Sequence, residues 1–579
     1  MFVSWFFYYK TSGIFLLILL FVTLSDWLIA KQIYRTKQLN QLSKAKAWLV
    51  LSIVIDLGML CYFKYAYFFT NMVNDILGTD FAVFDIFAYI GNGLNHQGRF
   101  MVDTIVLPVG ISFYIFQVIS YTTDVYRGLI TPLKNVFDFG FYVSFFPQLV
   151  AGPIVRANDF IPQLYRPFRL SKRLAGMALF WILNGLAKKI LLSDYLAVNL
   201  IDRVFDNPLL FSGFENLFAL FAYSLQVYAD FSGYTDIAIG VAMLMGFYLP
   251  KNFNSPYKAT NPQDFWHRWH MSLSRWLKSY LYIPLGGNRE TTFGTYFWII
   301  LIALVAFILT GSWIVMGILS LIAVVVLIVI RCFPQRRKLL NGNLNSFITM
   351  LLGGLWHGAS WNFMIWGGLN GIGMIVYKIW KQWGYNFQIL LLTLLTIAMW
   401  ILKATLHMPL TNVFWVWSLC LWIGMAIKYL YWWIERMGYI AITGTKRATI
   451  VHACSHIWAV LQTFVFITST RLFFRSGSNL DPATANQEAW ETAKNMVAQI
   501  GGAWNNSIIL PFLWEYRNVV ILFVLGMIIH WLPDKCKQAY RIRFASLPVW
   551  ALVLICVGAI MIVYQFITAD LQAFIYFQF

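Results

Sequence analysis

Apolar runs long enough to cross a lipid bilayer recur along the whole chain, and they constrain its fold more than any other feature. A bilayer-crossing helix needs about 17 to 25 mostly apolar residues. The 579-residue sequence is 60% apolar and only 12% charged, against roughly 25% charged in an average soluble domain. We therefore predict an all-α, polytopic transmembrane protein with about 11 to 13 membrane segments. The runs lie near residues 12–30, 48–70, 104–122, 175–193, 210–228, 294–311, 313–330, 347–375, 388–406, 411–433, 451–468, 518–532 and 548–568.

The distribution of positive charge predicts the orientation of the chain and argues against one class of partner. The first apolar run is followed by basic residues with no acid among them, namely Lys31, Arg35, Lys37, Lys44 and Lys46. Short loops rich in Lys and Arg stay in the cytoplasm, so the N-terminus is predicted to lie outside. The net charge of +19 is spread over many short loops and forms no single patch, so no nucleic-acid partner is predicted.

Two segments depart from a simple series of crossings. Residues 294–330 are apolar except for the polar stretch 310–312, and this pattern predicts a membrane hairpin. Residues 475–507 form the long polar segment of the chain, and they are predicted to contain one surface helix near residues 487–500. The six cysteines are dispersed without a ligand spacing, so they indicate no catalytic role.

A histidine in an aromatic motif, His270, is the first candidate for chemistry. Asn261 at an N-cap, Pro262 at the first helical position and Asp264 in the first turn predict that a helix begins here. If this helix continues, His270 falls on its apolar arc and Arg268 on the opposite one. The helix is then interfacial, with His270 directed towards the protein interior. A core histidine satisfied by one hydrogen bond is the alternative interpretation.

A second histidine, His357, lies in another apolar segment among small residues. One helical stripe contains Gly353, His357, Ser360 or Trp361, Met364 and Gly368. Small residues at such spacing let neighbouring backbones approach closely. Histidine is costly in a bilayer and is suited to proton transfer near neutral pH. Together with His270, it indicates chemistry on a buried substrate, although either ring could be structural.

Further polar and irregular features lie within apolar runs. Asp230 and Asp236 mark an ion path, a pocket or pairing with a cation, and pairing is the favoured interpretation. Proline and glycine interrupt the runs at residues 107–114 and 145–156. Such positions predict re-entrant or broken helices that surround a tunnel, or simple kinks.

Metal binding and serine-hydrolase chemistry are both disfavoured. His267 and His270 could share a helix face, but no cysteine or acid stands at a complementary spacing, and Asp264 fits the first helical turn better. No metal is therefore predicted. A Ser-His-Asp hydrolase is weaker still, because no Gly-x-Ser-x-Gly motif is present.

Several of these motifs occur together in one order along roughly residues 100–375. They are Leu107–Tyr114, Phe146–Arg156, Tyr228–Asp236, Asn252–Tyr257, Asp264–Trp276, Tyr282–Arg289 and Gly354–Gly358. In these segments the chain resembles the membrane-bound O-acyltransferase family, and within it the bacterial branch of alginate O-acetylation membrane subunits and teichoic acid D-alanyl transfer proteins. The resemblance implies a core at residues 1–380, with the hairpin as an addition, and a C-terminal transmembrane extension at residues 381–579. That extension, with its segment 471–475, resembles the alginate type.

The resemblance also implies roles for particular residues. His357 would be the essential base that takes the proton of an attacking hydroxyl, and His270 would orient the thioester carbonyl or steady its oxyanion. Basic side chains would attract the phosphates of a cytoplasmic acyl thioester, acetyl-CoA or an acyl carrier, which is a substrate and not a bound cofactor. The candidate substrate-binding residues are Arg268, Arg275, Lys278, Trp269 and Asp236. His267 stands where relatives often have arginine, so no role is carried to it.

The function implied is O-acetylation of an exported or cell-wall polysaccharide by a multi-pass protein of the bacterial inner membrane, surrounded by membrane lipids. An extracytoplasmic serine-hydrolase-like protein would be the partner that completes transfer to the polymer. Acyl or D-alanyl transfer to teichoic acid from a carrier protein is the alternative within enzymes. A non-catalytic acyl or glycan transporter and an export-complex scaffold are the alternatives outside them.

Overall fold

The described part of the protein is built from helices. The computed structural model describes residues 1–95, 101–289, 292–310, 313–332, 334–437, 446–478, 480–481 and 484–567. These residues form α-helices joined by turns, short 3-10 turns and π-helical segments, and they contain no β-strand. The predicted all-α class is confirmed.

The α-helices of these ranges are numbered in chain order. They are α1 (Phe2–Ser12), α2 (Leu16–Gln38), α3 (Leu42–Leu77), α4 (Ile86–Asn95), α5 (Ile111–Arg127), α6 (Val136–Ser144), α7 (Phe146–Leu149), α8 (Ala157–Leu164), α9 (Lys172–Leu186), α10 (Asp202–Asp206), α11 (Gly213–Leu244), α12 (Pro262–Arg268), α13 (Met271–Leu277), α14 (Phe293–Thr310), α15 (Trp313–Cys332), α16 (Pro334–His357), α17 (Trp361–Trp380), α18 (Tyr385–Leu406), α19 (Pro409–Arg436), α20 (Lys446–Ser476), α21 (Ala485–Gly502), α22 (Ile509–Glu515), α23 (Arg517–Trp531), α24 (Asp534–Ala545) and α25 (Val549–Ile567). The π-helical segments are Ala187–Asp194, Ala197–Ile201 and Lys278–Tyr282.

Several of these helices are long and apolar enough to cross a membrane. Within the described ranges there are six such stretches, or up to eight if two helix pairs bent by 82° and 108° each count as one span. The six are Phe2–Gln38, Leu42–Leu77, Lys172–Asp206, Tyr385–Leu406, Pro409–Arg436 and Ala453–Ser476. The chain is therefore a multi-pass membrane protein. This number is lower than the predicted 11 to 13 partly because apolar runs are interrupted: the run at 347–375 is divided between α16 and α17.

The helix predicted at Asn261 begins as expected. The side-chain oxygen of Asn261 accepts a hydrogen bond of 2.8 Å from the backbone N–H of Asp264. Pro262 is the first helical residue, where its missing N–H costs nothing. The N-cap chemistry of the sequence thus fixes the start of α12.

The continuation of that helix past Arg268 is wrong, because the backbone breaks at His270. His270 has a φ of 42°, in the left-handed region, and α13 begins only at Met271. The backbone N–H groups of Met271 and Ser272 donate instead to Asn252, at 2.9 and 3.0 Å. This distant partner replaces the hydrogen bonds of a continuous helix, so the helical wheel does not apply beyond the break.

The single helical stripe predicted through His357 is also wrong. Helix α16 ends at His357 and α17 begins at Trp361, and the two helices pack against each other as a hairpin. A Cβ at Gly354 would lie 2.3 Å from the backbone oxygen of Phe363. The predicted close approach of backbones at small residues is thus confirmed, although it joins two helices of a hairpin.

We expect Gly354→Val to destabilise the protein by about 1–3 kcal/mol, because the added side chain must push the α17 backbone away. Gly58→Val on α3 is the control, since no atom of the described residues lies within 4 Å of a Cβ at Gly58. Thermal unfolding of the detergent-purified variants, followed by size-exclusion chromatography, measures the difference. Equal unfolding temperatures for the two variants would contradict the close crossing.

The segments rich in proline and glycine contain irregular backbone, as predicted. Gly110 has a φ of 75° and immediately precedes α5. After the short helix α7, residues 150–155 are buried without helical structure. Non-helical backbone is tolerated at membrane depth only when protein or a water-filled cavity covers it. That these two segments line a tunnel stays a prediction.

The two unusual segments of the sequence also form helices. The predicted hairpin corresponds to α14 and α15, which pack against each other; residues 311 and 312 of its polar middle lie outside the described residues. The polar segment contains α21, which confirms the helix predicted near residues 487–500. Its small apolar face packs on α19 and α11.

Candidate active site

The fold brings the two candidate histidines together. The ring centres of His270 and His357 are 6.5 Å apart. Their exposed fractions are 0% and 3%. Two imidazoles that share a buried site, from segments far apart in sequence, form an arrangement that can hold and move a proton.

Asn252 fixes the protonation pattern of His270. The Asn252 side-chain oxygen accepts hydrogen bonds from the backbone N–H and the hydroxyl of Ser272, at 3.0 and 2.9 Å. The same oxygen lies 3.3 Å from Nδ1 of His270. Because this oxygen can only accept, Nδ1 must carry the proton. Burial also lowers the pKa of His270 to about 3, so the ring is neutral and Nε2 carries a lone pair.

His357 is held by the end of α16. Lys64 on α3 donates from Nζ to the backbone oxygens of Trp356 and His357, at 2.7 and 3.1 Å. The hydroxyl of Tyr65 donates to the backbone oxygen of Leu355 at 2.7 Å. The last carbonyls of a helix lack partners within it, and a cation there also complements the helix dipole. Helix α3 thus fixes the backbone that carries His357.

We expect Lys64→Met to lower the acyl-transfer rate about tenfold, because a small displacement of a catalytic group is costly and two helix-terminal carbonyls lose their partner. Lys46→Met is the control, since Lys46 is exposed on the same helix. Ester-linked acyl groups on surface polysaccharide, measured at matched membrane levels, report the effect. Equal acyl content in both variants would contradict a positioning role.

Aromatic rings surround the two imidazoles. Trp356, Trp366 and Phe474 contact His357, with ring centres 4.9, 5.1 and 5.4 Å away. Phe231 contacts His270 at 4.6 Å. These walls exclude water, so electrostatic interactions inside the site are stronger than they would be in water.

The buried acids of α11 pair with cations, as predicted. Asp236 lies 2.6 Å from Nζ of Lys188 and accepts a hydrogen bond from Asn184. Asp230 lies 2.8 Å from Nζ of Lys189. These pairs join α11 to α9 and its π-helical continuation. The substrate-binding role of Asp236 stays a prediction, and a substrate would have to share this carboxylate with Lys188.

The other predicted substrate-binding residues lie in different surroundings. Arg268 is half-buried and forms an ion pair of 2.8 Å with Asp264. Arg275 and Lys278 are exposed. Trp269 is buried beside His270. The structure therefore keeps Arg275 and Lys278 accessible to an anionic group, while Arg268 already has a carboxylate partner.

A basic surface is assembled around α13 from three parts of the chain. Arg127 and Arg156 donate to the backbone oxygens of Ser279 and Arg275, at 3.0 and 3.1 Å. Both guanidinium groups lie 5.3 Å from the ring centre of Tyr280. Positive charge from separate loops thus collects on one face, which favours the approach of an anionic donor.

Sequence reasoning missed several residues of the site. Lys64 was detectable as a lone cation within an apolar run. Asn252 and Arg471 stood in segments noted for their resemblance, without an assigned role. No spacing pattern in the sequence connects these residues to the histidines. Only the tertiary fold brings them to the site. In the described ranges, no group of three or more His, Cys, Asp or Glu side chains is arranged to hold a metal ion.

Comparison with known proteins identifies the family of this chain. Residues 4–307, more than half of the chain, match the sequence profile of the membrane-bound O-acyltransferase family. The chain belongs to that family. The matched range contains His270 and ends before His357, so the pairing of the two rings is a finding of the structure.

The similar members of the acyltransferase family are named for different reactions. A probable alginate O-acetylase AlgI of Azotobacter vinelandii is 39% identical over 335 residues, which are 58% of this chain and 54% of that protein. A peptidoglycan O-acetyltransferase of Helicobacter pylori is 33% identical, with coverage of 66% and 64%. A teichoic acid D-alanyltransferase of Bacillus subtilis is 25% identical, with coverage of 48% and 61%. The chain thus spans about half the length of the Azotobacter relative, and the resemblance seen in its motifs is confirmed.

Proposed function

We propose that this protein is a membrane O-acyltransferase that moves an acetyl group from a cytoplasmic thioester to a hydroxyl acceptor, for O-acetylation of an exported or cell-wall polysaccharide. The observation that carries the proposal is the pair of buried imidazoles, His270 and His357, with ring centres 6.5 Å apart. Family membership and the relatives named as O-acetylases support the same reaction class.

In the proposed reaction, His357 is the general base. Its neutral imidazole takes the proton of the acceptor hydroxyl as the hydroxyl oxygen attacks the thioester carbonyl carbon. The carbonyl electrons move onto oxygen, and their return breaks the C–S bond. The departing thiolate takes the proton from the imidazolium and leaves as a thiol. Proton transfer of this kind contributes about 10²–10⁴ in rate.

The tautomer of His270 supports a role in binding the substrate. As the neutral ring with a proton on Nδ1, it offers a lone pair at Nε2 and accepts a hydrogen bond there. Orientation of a donor group on the substrate fits this tautomer. Steadying an oxyanion through Nε2 would require the imidazolium, which burial disfavours.

The basic surface formed around α13 supports donor entry from the cytoplasm. Arg275 and Lys278 are exposed there, and Arg127 and Arg156 add their charge. The phosphates of acetyl-CoA or of an acyl carrier would bind such a surface. The proposal includes a bacterial inner membrane as the location and an N-terminus outside it.

The proposed reaction also requires an extracytoplasmic partner protein that receives the acyl group. A serine-hydrolase-like acetyltransferase would accept the acyl group on its own hydroxyl and pass it to the polysaccharide. The names of the alginate relatives support a polysaccharide pathway. The membrane protein would then perform the first of two ester-forming transfers.

The test is the identity of ester-linked acyl groups on surface polysaccharide, released by mild alkali and analysed by mass. Cells that express the protein are compared with cells that lack it. Acetate that depends on expression supports the proposal. Alkali-released D-alanine would favour the teichoic acid alternative, which the Bacillus relative suggests. Identical acyl content with and without the protein would contradict acyl transfer and favour a transporter or scaffold.

A further inference from the structure

We propose that Arg471 is a catalytic residue whose guanidinium stabilises the negative charge that develops on the carbonyl oxygen during acyl transfer. The assignment rests on the proposed function. It arises from a buried cation beside the histidine pair that has no carboxylate partner in the described part of the chain.

Arg471 is almost completely enclosed. Its exposed fraction is 1%, and it is the largest fully buried side chain among the described residues. The guanidinium carbon lies 4.2 Å from the ring centre of Trp269, in a cation–π contact. Its buried Nε has no hydrogen-bond partner within the described ranges. An arginine cannot release its proton to escape this desolvation, so the charge must be compensated where it lies.

The charges of other buried or partly buried cations in this region are compensated by carboxylates. Lys188 pairs with Asp236, and Lys189 with Asp230. Arg475, one helical turn after Arg471 on α20, pairs with a carboxylate on α10 at 2.9 Å. The ion pairs found in the described residues include none for Arg471. A cation–π contact stabilises the charge by less than its desolvation costs. We therefore infer that this position suits an anion that forms during the reaction.

The position of Arg471 identifies that anion. Its aromatic partner Trp269 directly precedes His270. One turn along α20, the ring of Phe474 lies 5.4 Å from that of His357. The charge of Arg471 acts on the hydroxyl of Tyr257 and on the ring of His357, so both groups belong to the same enclosure. The anion that forms beside these histidines during acyl transfer is the carbonyl oxygen under attack.

The chemistry of the step then assigns complementary roles. The attacking hydroxyl forms the new C–O bond and gives its proton to His357, while the carbonyl electron pair moves onto oxygen. An N–H group of Arg471 donates to that oxygen, and the positive charge opposes the negative one. When the pair returns to carbon, the C–S bond breaks and the thiolate recovers the proton from His357. His270 is the acceptor tautomer, so the hydrogen-bond donor for the oxyanion comes from α20.

The test uses inverted membrane vesicles that contain the full chain and its pathway, with [¹⁴C]acetyl-CoA supplied to the cytoplasmic face. Initial rates of alkali-labile ester formation give kcat and KM for wild type, Arg471→Met, Arg471→Lys and the control Arg475→Gln. We expect Arg471→Met to lower kcat by about 10²–10³, as loss of one oxyanion donor does, with KM within about threefold because the ground-state carbonyl carries little charge. Arg471→Lys should recover part of kcat, and Arg475→Gln should keep kcat within about twofold, since Asp202 is partly exposed to water.

The outcomes distinguish a failure of the Arg471 assignment from a failure of the proposed acyl-transfer function. A wild-type rate in Arg471→Met, with no transfer in His357→Gln, would overturn the role of Arg471 and leave the acyl-transfer function standing. No ester formation by wild-type vesicles would overturn the function and this role with it. If Arg471→Met does not accumulate in the membrane, Arg471→Gln provides the neutral variant, and an unchanged kcat there would equally contradict the assignment.

Discussion

Replacing His357 with glutamine should lower acyl transfer by at least about 10²-fold, while the protein still folds and inserts. Glutamine can form hydrogen bonds in the cage of Trp366 and Phe474, but it cannot take a proton from a hydroxyl. The alkali-released acyl content of cells, normalised to the amount of membrane-inserted protein, measures the loss. The variant loses the whole contribution of proton transfer, which is about 10²–10⁴ in rate.

A third buried histidine provides the matched control for this prediction. His530 is 3% exposed, and its Nε2 accepts a hydrogen bond of 3.1 Å from the backbone N–H of Tyr257. Glutamine can supply an acceptor oxygen in its place, so His530→Gln should cost stability and keep acyl transfer within about threefold. Equal losses in His357→Gln and His530→Gln would show that any buried histidine matters only for packing.

Replacing Asn252 with leucine should lower kcat by about 10²-fold, because the acceptor that selects the Nδ1–H tautomer of His270 is lost. A wrong histidine tautomer is costly in other enzymes that depend on one, by up to about 10⁴. The same change removes the partner of the Ser272 backbone. Thermal unfolding measured in parallel separates loss of the tautomer from loss of the fold.

Asn252→Asp distinguishes a tautomer effect from simple damage. The new carboxylate still accepts from Nδ1, so this variant should retain more activity than Asn252→Leu. A nearby negative charge favours the imidazolium and therefore raises the pKa of His270 from its lowered value of about 3. The acid limb of the pH–rate profile should then move to higher pH. Similar losses in both variants, with no change in the profile, would contradict control of the tautomer by Asn252.

Features that depend on local composition could be predicted from the sequence. Features that depend on contacts between residues far apart in the chain could not. The apolar runs predicted the membrane class, and the N-cap chemistry predicted the start of α12 at Pro262. Residue type alone singled out His270 and His357 as unusual in apolar surroundings. These inferences need only bilayer thickness, helix capping and the cost of burying a polar ring.

The break at His270 could not be predicted in this way. A helical wheel assumes that each N–H bonds within its own helix, whereas Asn252 captures two of them. Lys64 is 292 residues away in sequence from Trp356, whose backbone carbonyl it caps. Arg471 reaches the site from a helix in the C-terminal extension. The parts of the site that orient the histidines are therefore tertiary, while the histidines themselves were visible in the sequence.

The most direct test of the central claim is label transfer by inverted membrane vesicles in which wild type and His357→Gln are present at equal levels. [¹⁴C]Acetyl-CoA is added to the exposed cytoplasmic face, and label is counted in alkali-labile esters. We predict that wild-type vesicles accumulate such esters and that His357→Gln vesicles do so at least about 10²-fold more slowly. Equal accumulation in the two preparations would contradict proton transfer by the buried histidine pair.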